Sequence, residues 1–222
     1  MDISVGYEGQ PGALMTRIVG MSIEDIEEAA KLVLEGRLIA YPTDTVYGLG
    51  CNPFDADAVD RLGKAKERVK GSLPILVSSL KDAERLGEIS GLAATLANRF
   101  WPGPLTLVVQ PRHNFPARIT GNTLLVGLRI PNHEKARRLI KECGGALIGT
   151  SANLSGRPSL RTAEEVLREL EDRVDLVIDG GPAPLGREST VVRVLGNEST
   201  VLRDGAISRD DILKTLPVTR VS

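Results

Sequence analysis

Hydroxyls, small amides and cations recur in four short stretches of this chain, each beside an apolar run that reads as a strand. They are Pro42-Thr43-Asp44-Thr45 with Tyr47-Gly48-Leu49-Gly50; Lys64, Lys66, Arg68 and Lys70; Thr150-Ser151-Ala152-Asn153 with Ser155-Gly156; and Ser189-Thr190. No cysteine arrangement suited to nucleophilic attack accompanies them, and there are only two histidines. Such groups handle phosphate or carboxylate by charge and hydrogen bonding, which is the chemistry of a nucleotide-using enzyme.

Each stretch has two readings. Thr43 and Thr45 alternate with Asp44, so on an extended chain they share a face. They form either a Ser/Thr or Asx turn that caps the next element, or a wall of hydroxyls for a small polar substrate. In the second reading Gly48 and Gly50 let backbone approach the substrate closely. Lys64, Lys66, Arg68 and Lys70 stand at every second position, which on an extended segment puts four cations on one face. They are either a solvated stripe or a cradle for an anion such as a polyphosphate, with Arg68 forking onto a phosphoryl group and Lys66 acting as a point charge. Thr150 to Gly156 is suited to an anion-binding turn at the carboxyl end of a strand. It is not a P-loop, and it lacks the final glycine of a Gly-x-Ser-x-Gly elbow, which counts against a Ser-His-Asp hydrolase. Arg129 and Arg203 each follow apolar residues, and a cation buried there needs either an internal carboxylate or an anionic ligand.

The elements that must hold these groups alternate between helix and strand. Ser22 with Asp25, and Thr162 with Glu165, have capping-box spacing, and Ser208 with Asp211 repeats it before a last short helix. Helices are predicted from Ser22 to Gly36, Asp57 to Leu62, Ser79 to Ile89, Leu92 to Phe100, Asn132 to Glu142 and Thr162 to Asp172. Strands are predicted at Leu38–Tyr41, Leu73–Val77, Leu105–Gln110, Leu124–Ile130, Ala146–Gly149, Val174–Ile178, Val191–Leu195 and Val201–Leu202. The lone Trp101, in a Pro-Gly-Pro turn, reads as core packing. The pattern predicts an α/β layer architecture.

At 222 residues, with 41% hydrophobic and 26% charged residues, the chain has the balance of one well-buried globular domain. The glycine-rich residues 1–17 read as a flexible N-terminal extension, with Met15 an alternative start, ahead of a domain over residues 18–222. A formal net charge of -1 leaves nucleic-acid attraction to a local patch. Cys51, Cys143, His113 and His133 have no metal-ligand spacing, and the two thiols read as structural in a reducing cytoplasm. Every apolar run is shorter than the roughly 20 residues of a membrane span.

Taken together, these segments resemble the YrdC/Sua5 family. The resemblance runs from about Ile18 to Leu213. It rests on Tyr41 to Cys51, Lys66-x-Arg68, Trp101-Pro102-Gly103-Pro104-Leu105-Thr106, Val126 to Pro131, Gly149 to Gly156, Gly186 with Ser189-Thr190-Val191, and Arg203-x-Gly205. It implies a twisted, open mixed α/β sheet with flanking helices and a concave basic cavity, in the short form that has the YrdC-like domain alone. The implied activity is L-threonylcarbamoyladenylate synthesis from L-threonine, bicarbonate and ATP, with magnesium arriving on the ATP and no resident metal. The implied partner is a transferase complex that modifies adenosine 37 of tRNA.

The resemblance also implies roles. Lys66 and Arg68 are the catalytic cations that meet ATP phosphates and substrate carboxylate. Thr43, Thr45 and Tyr47, with Arg129, hold threonine and its carboxylated amine. Ser151, Asn153, Ser189 and Arg203 meet the nucleotide. One departure is Val69, where the family pattern Lys-x-Arg continues with proline. It leaves open a YciO-like paralogue that binds tRNA or double-stranded RNA through the Lys64–Lys70 stripe, with weak or altered nucleotide chemistry. The carbamoyl-transfer domain of hydrogenase-maturation proteins is a third relative, whose acylphosphatase and zinc-finger-like regions are not found here.

Overall fold

The computed structural model describes residues 16–67 and 71–216. Arg68, Val69 and Lys70 of the cation stretch, and residues 1–15 of the N-terminal extension, lie outside the described residues. The chain runs β1 (Arg17–Val19), α1 (Ile23–Leu34), β2 (Ile39–Tyr41), β3 (Gly48–Gly50), α2 (Ala56–Ala65), β4 (Ile75–Val77) and α3 (Leu80–Leu86). It continues through α4 (Gly91–Phe100), β5 (Leu105–Val109), α5 (Ala117–Thr120), β6 (Val126–Arg129), α6 (Glu134–Glu142), β7 (Ala146–Ile148) and β8 (Thr150–Ser151). The last elements are α7 (Ala163–Leu170), β9 (Leu176–Ile178), β10 (Thr190–Leu195), β11 (Glu198–Arg203) and α8 (Arg209–Thr215).

The helices start where their caps place them. Ser22 Oγ accepts from the Asp25 amide at 3.1 Å while Asp25 accepts from the Ser22 amide at 2.9 Å, so the α1 capping box is closed at both ends. Thr162 and Glu165 do the same for α7. Two caps differ from the sequence reading. Asp55, not Asp57, caps α2 by accepting from Ala58 N at 3.0 Å. His133, not Asn132, caps α6 through Nδ1, which accepts from Ala136 N at 3.1 Å.

The strands form two mixed sheets. One has the order β1-β9-β2-β3-β8 and the other β11-β10-β5-β6-β4-β7. Alternation along the strands divides the core in two, as a period of two must. Ile39, Tyr41, Leu76, Leu147, Leu176 and Ile178 face α1 and α6, whereas Ala40, Ile75, Val77, Ile148 and Val177 face the larger apolar cluster beneath α2, α4 and α7. The outcome is an α/β fold with mixed sheets and flanking helices.

Arg17 pairs with Leu176 in a parallel edge strand, and Thr16 Oγ1 donates to Val174 O at 2.8 Å, so residues 16 and 17 belong to the edge of a sheet. The sequence reading also missed β3. A Gly-Leu-Gly run has low strand propensity, yet it is required here by crowding. A Cβ on Gly50 would lie 2.7 Å from Ile148 O and 2.8 Å from the Tyr41 ring. Gly50 therefore makes room for protein, not for substrate. Gly149 has a related role where the chain leaves β7 of one sheet and enters β8 of the other, since a Cβ there would lie 2.3 Å from Leu76 Cγ.

Two predictions follow from this packing. Gly50→Ala should destabilise the protein by about 1–3 kcal/mol or more, because the nearest obstacle is backbone and cannot rotate away. Urea denaturation checks it, and an unchanged midpoint would contradict the crowding. Burial pushes the thiols of Cys51 and Cys143 up to about 12. A raised pKa means that their contribution to stability is complete below the unfolded thiol value of about 8.5 and is lost as pH climbs towards about 12. At pH 8 both should resist a thiol-reactive disulfide reagent in the native protein and react together on unfolding.

Candidate active site

The two sheets enclose a cavity of about 470 Å³. Its floor comes from Thr106 on β5 and from Gly127 and Arg129 on β6. The bend after β2 brings Thr43, Thr45 and Tyr47, the C-terminus of α2 brings Lys66, and β8 with its following loop brings Ser151 and Asn153. Ser189 and Arg203 complete the wall from the start of β10 and the end of β11. The residues to which the resemblance assigns roles, apart from Arg68, which lies outside the described residues, thus meet around one space, whereas Lys64 and Gly50 do not line it.

The Thr43–Tyr47 segment is a bend rather than an extended strand exit; its hydroxyls close a turn, and the same residues line the cavity. Thr43 Oγ1 accepts from Thr45 N at 3.1 Å and donates to Val46 O at 2.7 Å, closing a Ser/Thr turn. With that proton committed, the 2.9 Å contact between the two hydroxyls must run from Thr45 to Thr43. Arg129 Nη1 donates to Thr45 Oγ1 at 2.9 Å. The hydroxyl chain is therefore polarised from the guanidinium inward, and Thr45 keeps only acceptor capacity.

Arg129 is the answer to one open choice. Its Nη2 pairs with Asp44 Oδ1 and its Nε donates to Gly103 O at 3.0 Å, with both charged residues 6% exposed at the side chain. The internal carboxylate is thus Asp44, and the same arginine still lines the cavity. Burial pulls the Arg129 pKa below its ordinary value, and Asp44 opposes that pull. Arg203 has made the same choice less deeply: Nη1 pairs with Glu188 and Nη2 donates to Ser189 O at 2.8 Å.

The cation stretch departs from its prediction. Apolar Ala58, Val59, Leu62 and Ala65 carry α2 through Ala65, and Lys66 is its C-cap. Residues two apart on a helix do not share a face. Lys64 is exposed while Lys66 is buried, with Nζ donating to Ser151 O and, at 2.7 Å, to Asn153 O. Lys64 and Lys66 are therefore not part of one surface track for a nucleic-acid backbone. Tyr47 also differs from a free phenol in the wall. Its hydroxyl donates to Gly181 O at 2.9 Å and accepts from Gly180 N at 3.3 Å, and burial raises its pKa to about 12.

Asn153 has a fixed orientation. Nδ2 donates to Leu154 O at 2.9 Å and to Arg157 O at 2.6 Å, while Oδ1 is buried with no protein partner. Sequence reasoning missed Thr106 and Glu188. Thr106 meets Ser189 Oγ at 2.8 Å only because β5 and β10 pair in parallel. Glu188 carries no signal beyond standing next to Ser189. Among the described residues no cluster of His, Cys, Asp and Glu is arranged to hold a metal, and no helix is long and apolar enough to cross a membrane.

Replacing Asp44 with Ala should cost about 3–5 kcal/mol by leaving the Arg129 charge buried without its carboxylate. The double variant Asp44→Ala/Arg129→Met should recover much of that loss. Chemical denaturation of both reads it, and a single-variant cost under about 1 kcal/mol would show that the pair does not hold the cavity floor.

Known proteins share this fold. A family model described as "Telomere recombination", Sua5_yciO_yrdC, matches residues 31–205. The threonylcarbamoyl-AMP synthase of Pyrococcus abyssi is 40% identical over 214 residues, covering 93% of this chain and 63% of that protein. The threonylcarbamoyl-AMP synthase of Idiomarina loihiensis is 35% identical over 187 residues, covering 82% of this chain and 99% of that protein. The crystal structure of P. abyssi Sua5 complexed with L-threonine matches with a TM-score of 0.85 at 38% identity, over 94% of this chain and 62% of that one. The chain spans less than two thirds of the length of the Pyrococcus relative. With the match over most of its length, and with the cavity built from the segments that carry the resemblance, the chain belongs to the Sua5/YciO/YrdC family.

Proposed function

We propose that this cavity makes L-threonylcarbamoyladenylate and pyrophosphate from L-threonine, bicarbonate and ATP. The observation that carries the reading is the convergence of Lys66, Arg129 and Arg203 with hydroxyls from four separate segments on one space of about 470 Å³, a size suited to small-molecule substrates. A wall rich in cations and hydroxyls makes the cavity a basic one that suits anionic substrates. The names of the similar synthases, and the L-threonine in the Sua5 structure, support the same assignment.

The chemistry demands such a wall. The amine of threonine attacks carbon dioxide derived from bicarbonate, losing a proton and giving an N-carboxylate. An oxygen of that carboxylate attacks the α-phosphorus of ATP, and the bond to pyrophosphate breaks. Both reactants are anions, so catalysis is alignment and neutralisation. Lys66, and Arg68 with it, answer the phosphates and carboxylates, while Arg203 and Ser189 meet the nucleotide. The acceptor-only Thr45 suits a donor on the amino acid, its amine or hydroxyl. Ser151 serves the nucleotide as well, and the orphaned Asn153 Oδ1 suits a hydroxyl or amino group of it rather than a phosphate oxygen. Tyr47 shapes the wall with its ring.

Magnesium belongs to this reading as part of the MgATP substrate. The product would pass in the cytoplasm to a transferase complex that modifies tRNA.

The test is pyrophosphate release by the purified protein, with mass detection of the adenylate. Release should require L-threonine and bicarbonate together, and Lys66→Ala should lower kcat/KM at least about tenfold, the scale of one lost charged hydrogen bond. ATP binding without adenylate formation under any combination would reject the synthase reading and favour a YciO-like activity.

A further inference from the structure

Among the described residues that line the cavity, Glu188 is the carboxylate. A negative charge there repels the phosphates assigned to the same space, so its presence calls for another role. Both of its oxygens are engaged. Ser159 Oγ donates to Oε1 at 2.6 Å, and Arg203 Nη1 pairs with Oε2. Arg203 is further held by Nη2, which donates to Ser189 O at 2.8 Å and to Ser189 Oγ at 3.3 Å. Ser189 Oγ in turn meets Thr106 Oγ1 at 2.8 Å on the cavity floor.

Ser159 belongs to the loop that follows β8. Its two ends are fixed elsewhere: Leu154 N donates to Glu169 Oε1 at 2.6 Å, and Tyr47 N donates to Leu160 O at 2.9 Å. Between them Ser155, Gly156, Arg157 and Pro158 are exposed, although the first three also line the cavity. The Ser159 hydroxyl joins this exposed stretch to the opposite wall.

We propose that Glu188 is a positioning residue that clasps the 155–161 loop to Arg203 and so sets the nucleotide end of the cavity. The inference rests on the nucleotide reading given above. Arg203 is a long side chain, 47% exposed, that would otherwise sample many rotamers. Held at both terminal nitrogens, it presents its remaining N–H groups in one direction, and ordering it before the ligand arrives favours binding. The pair itself, with its partners 47% and 33% exposed, adds little to stability. Replacing Glu188 should therefore cost little stability through the loss of this pair.

Two effects of Glu188→Gln have opposite signs, and this makes the proposal testable. Removing a negative charge from an anion site tightens ATP binding by charge alone. Releasing Arg203 and the loop weakens it. ATP affinity would be measured by titration calorimetry, alongside KM and kcat in the pyrophosphate assay. Glu188→Gln should weaken ATP about tenfold and raise its KM, with kcat and the KM for threonine changing less than about twofold. Glu188→Asp should recover part of the loss. Ser159→Ala, which leaves every charge in place, should weaken ATP severalfold, and the double variant should be little worse than Glu188→Gln. Equal or tighter ATP binding by Glu188→Gln would overturn the proposal, as would an unchanged affinity in Ser159→Ala. Should Glu188→Gln fail to fold, Ser159→Ala decides alone. Wild-type protein that binds no ATP would reject the nucleotide reading and the clasp with it, whereas wild-type binding with unaffected variants rejects the clasp only.

Discussion

Arg129 reaches from β6 of the six-stranded sheet to Asp44 and Thr45, in the bend that follows β2 of the five-stranded sheet. A third bond, to Gly103 O at 3.0 Å, ties in the turn before β5. The cavity exists because two sheets are held at a separation, and this one guanidinium spans it with directed bonds on three sides. A buried pair of this kind adds little net stability over an apolar substitute, but either half alone is costly. It therefore fixes geometry: no small slip of one sheet on the other preserves all three contacts. The Thr45 hydroxyl is held between this guanidinium and Thr43, whose own proton is directed to Val46 O.

The opposite side of the cavity is closed by a similar device with a different donor. Lys66 is the C-cap of α2 and donates to two carbonyls, that of Ser151 in β8 and that of Asn153 just after it. Those carbonyls belong to the segment that has just crossed from one sheet to the other at Gly149. The amides around the crossing are also spoken for, with Gly149 N on Pro74 O at 2.9 Å and Ile148 N on Cys51 O at 3.0 Å. Arg129 and Ile148 thus donate from the six-stranded sheet, and the Tyr41 hydroxyl on β2 donates back to Ile148 O at 2.8 Å. The cavity is lined by groups whose first task is structural, and a ligand meets what those bonds leave over.

That double duty explains what was legible in the sequence. Helices announced themselves where a cap and an apolar stripe coincided, as at Ser22 and Thr162, because both signals are local. Strands were legible wherever β-branched or leucine runs were buried on both faces. The strand at Gly48–Gly50 was not, because its glycines answer to the Tyr41 ring and the Ile148 carbonyl, neighbours that only the fold supplies. The alternating cations at Lys64 and Lys66 misled for the opposite reason. Their charge pattern suggested an extended segment, but the apolar spacing of Val59, Leu62 and Ala65 has the helical period, and burial of that face prevailed. Residue types at the site were legible because their chemistry is narrow; Glu188 was not, since one surface-type acid among 29 acidic residues carries no mark.

The remaining difficulty is how a chain of formal charge -1 can offer the anion site proposed for this cavity when the cations already have partners. Arg129 lies on Asp44, Arg203 on Glu188, and Arg157 within 3.9 Å of Glu169. Pairing weakens the field that such a cavity projects into solvent, where salt screens it in any case. It does not weaken the hydrogen bonds the same groups make at contact. A guanidinium held at two corners loses little further freedom when a ligand takes the others, and a buried contact is screened far less than a surface one. Recognition in such a site depends on the direction of N–H and O–H bonds rather than on net charge. That is why its selectivity is set by the bonds that hold the wall in place, and why the residues behind the wall matter to the ligand as much as those on it.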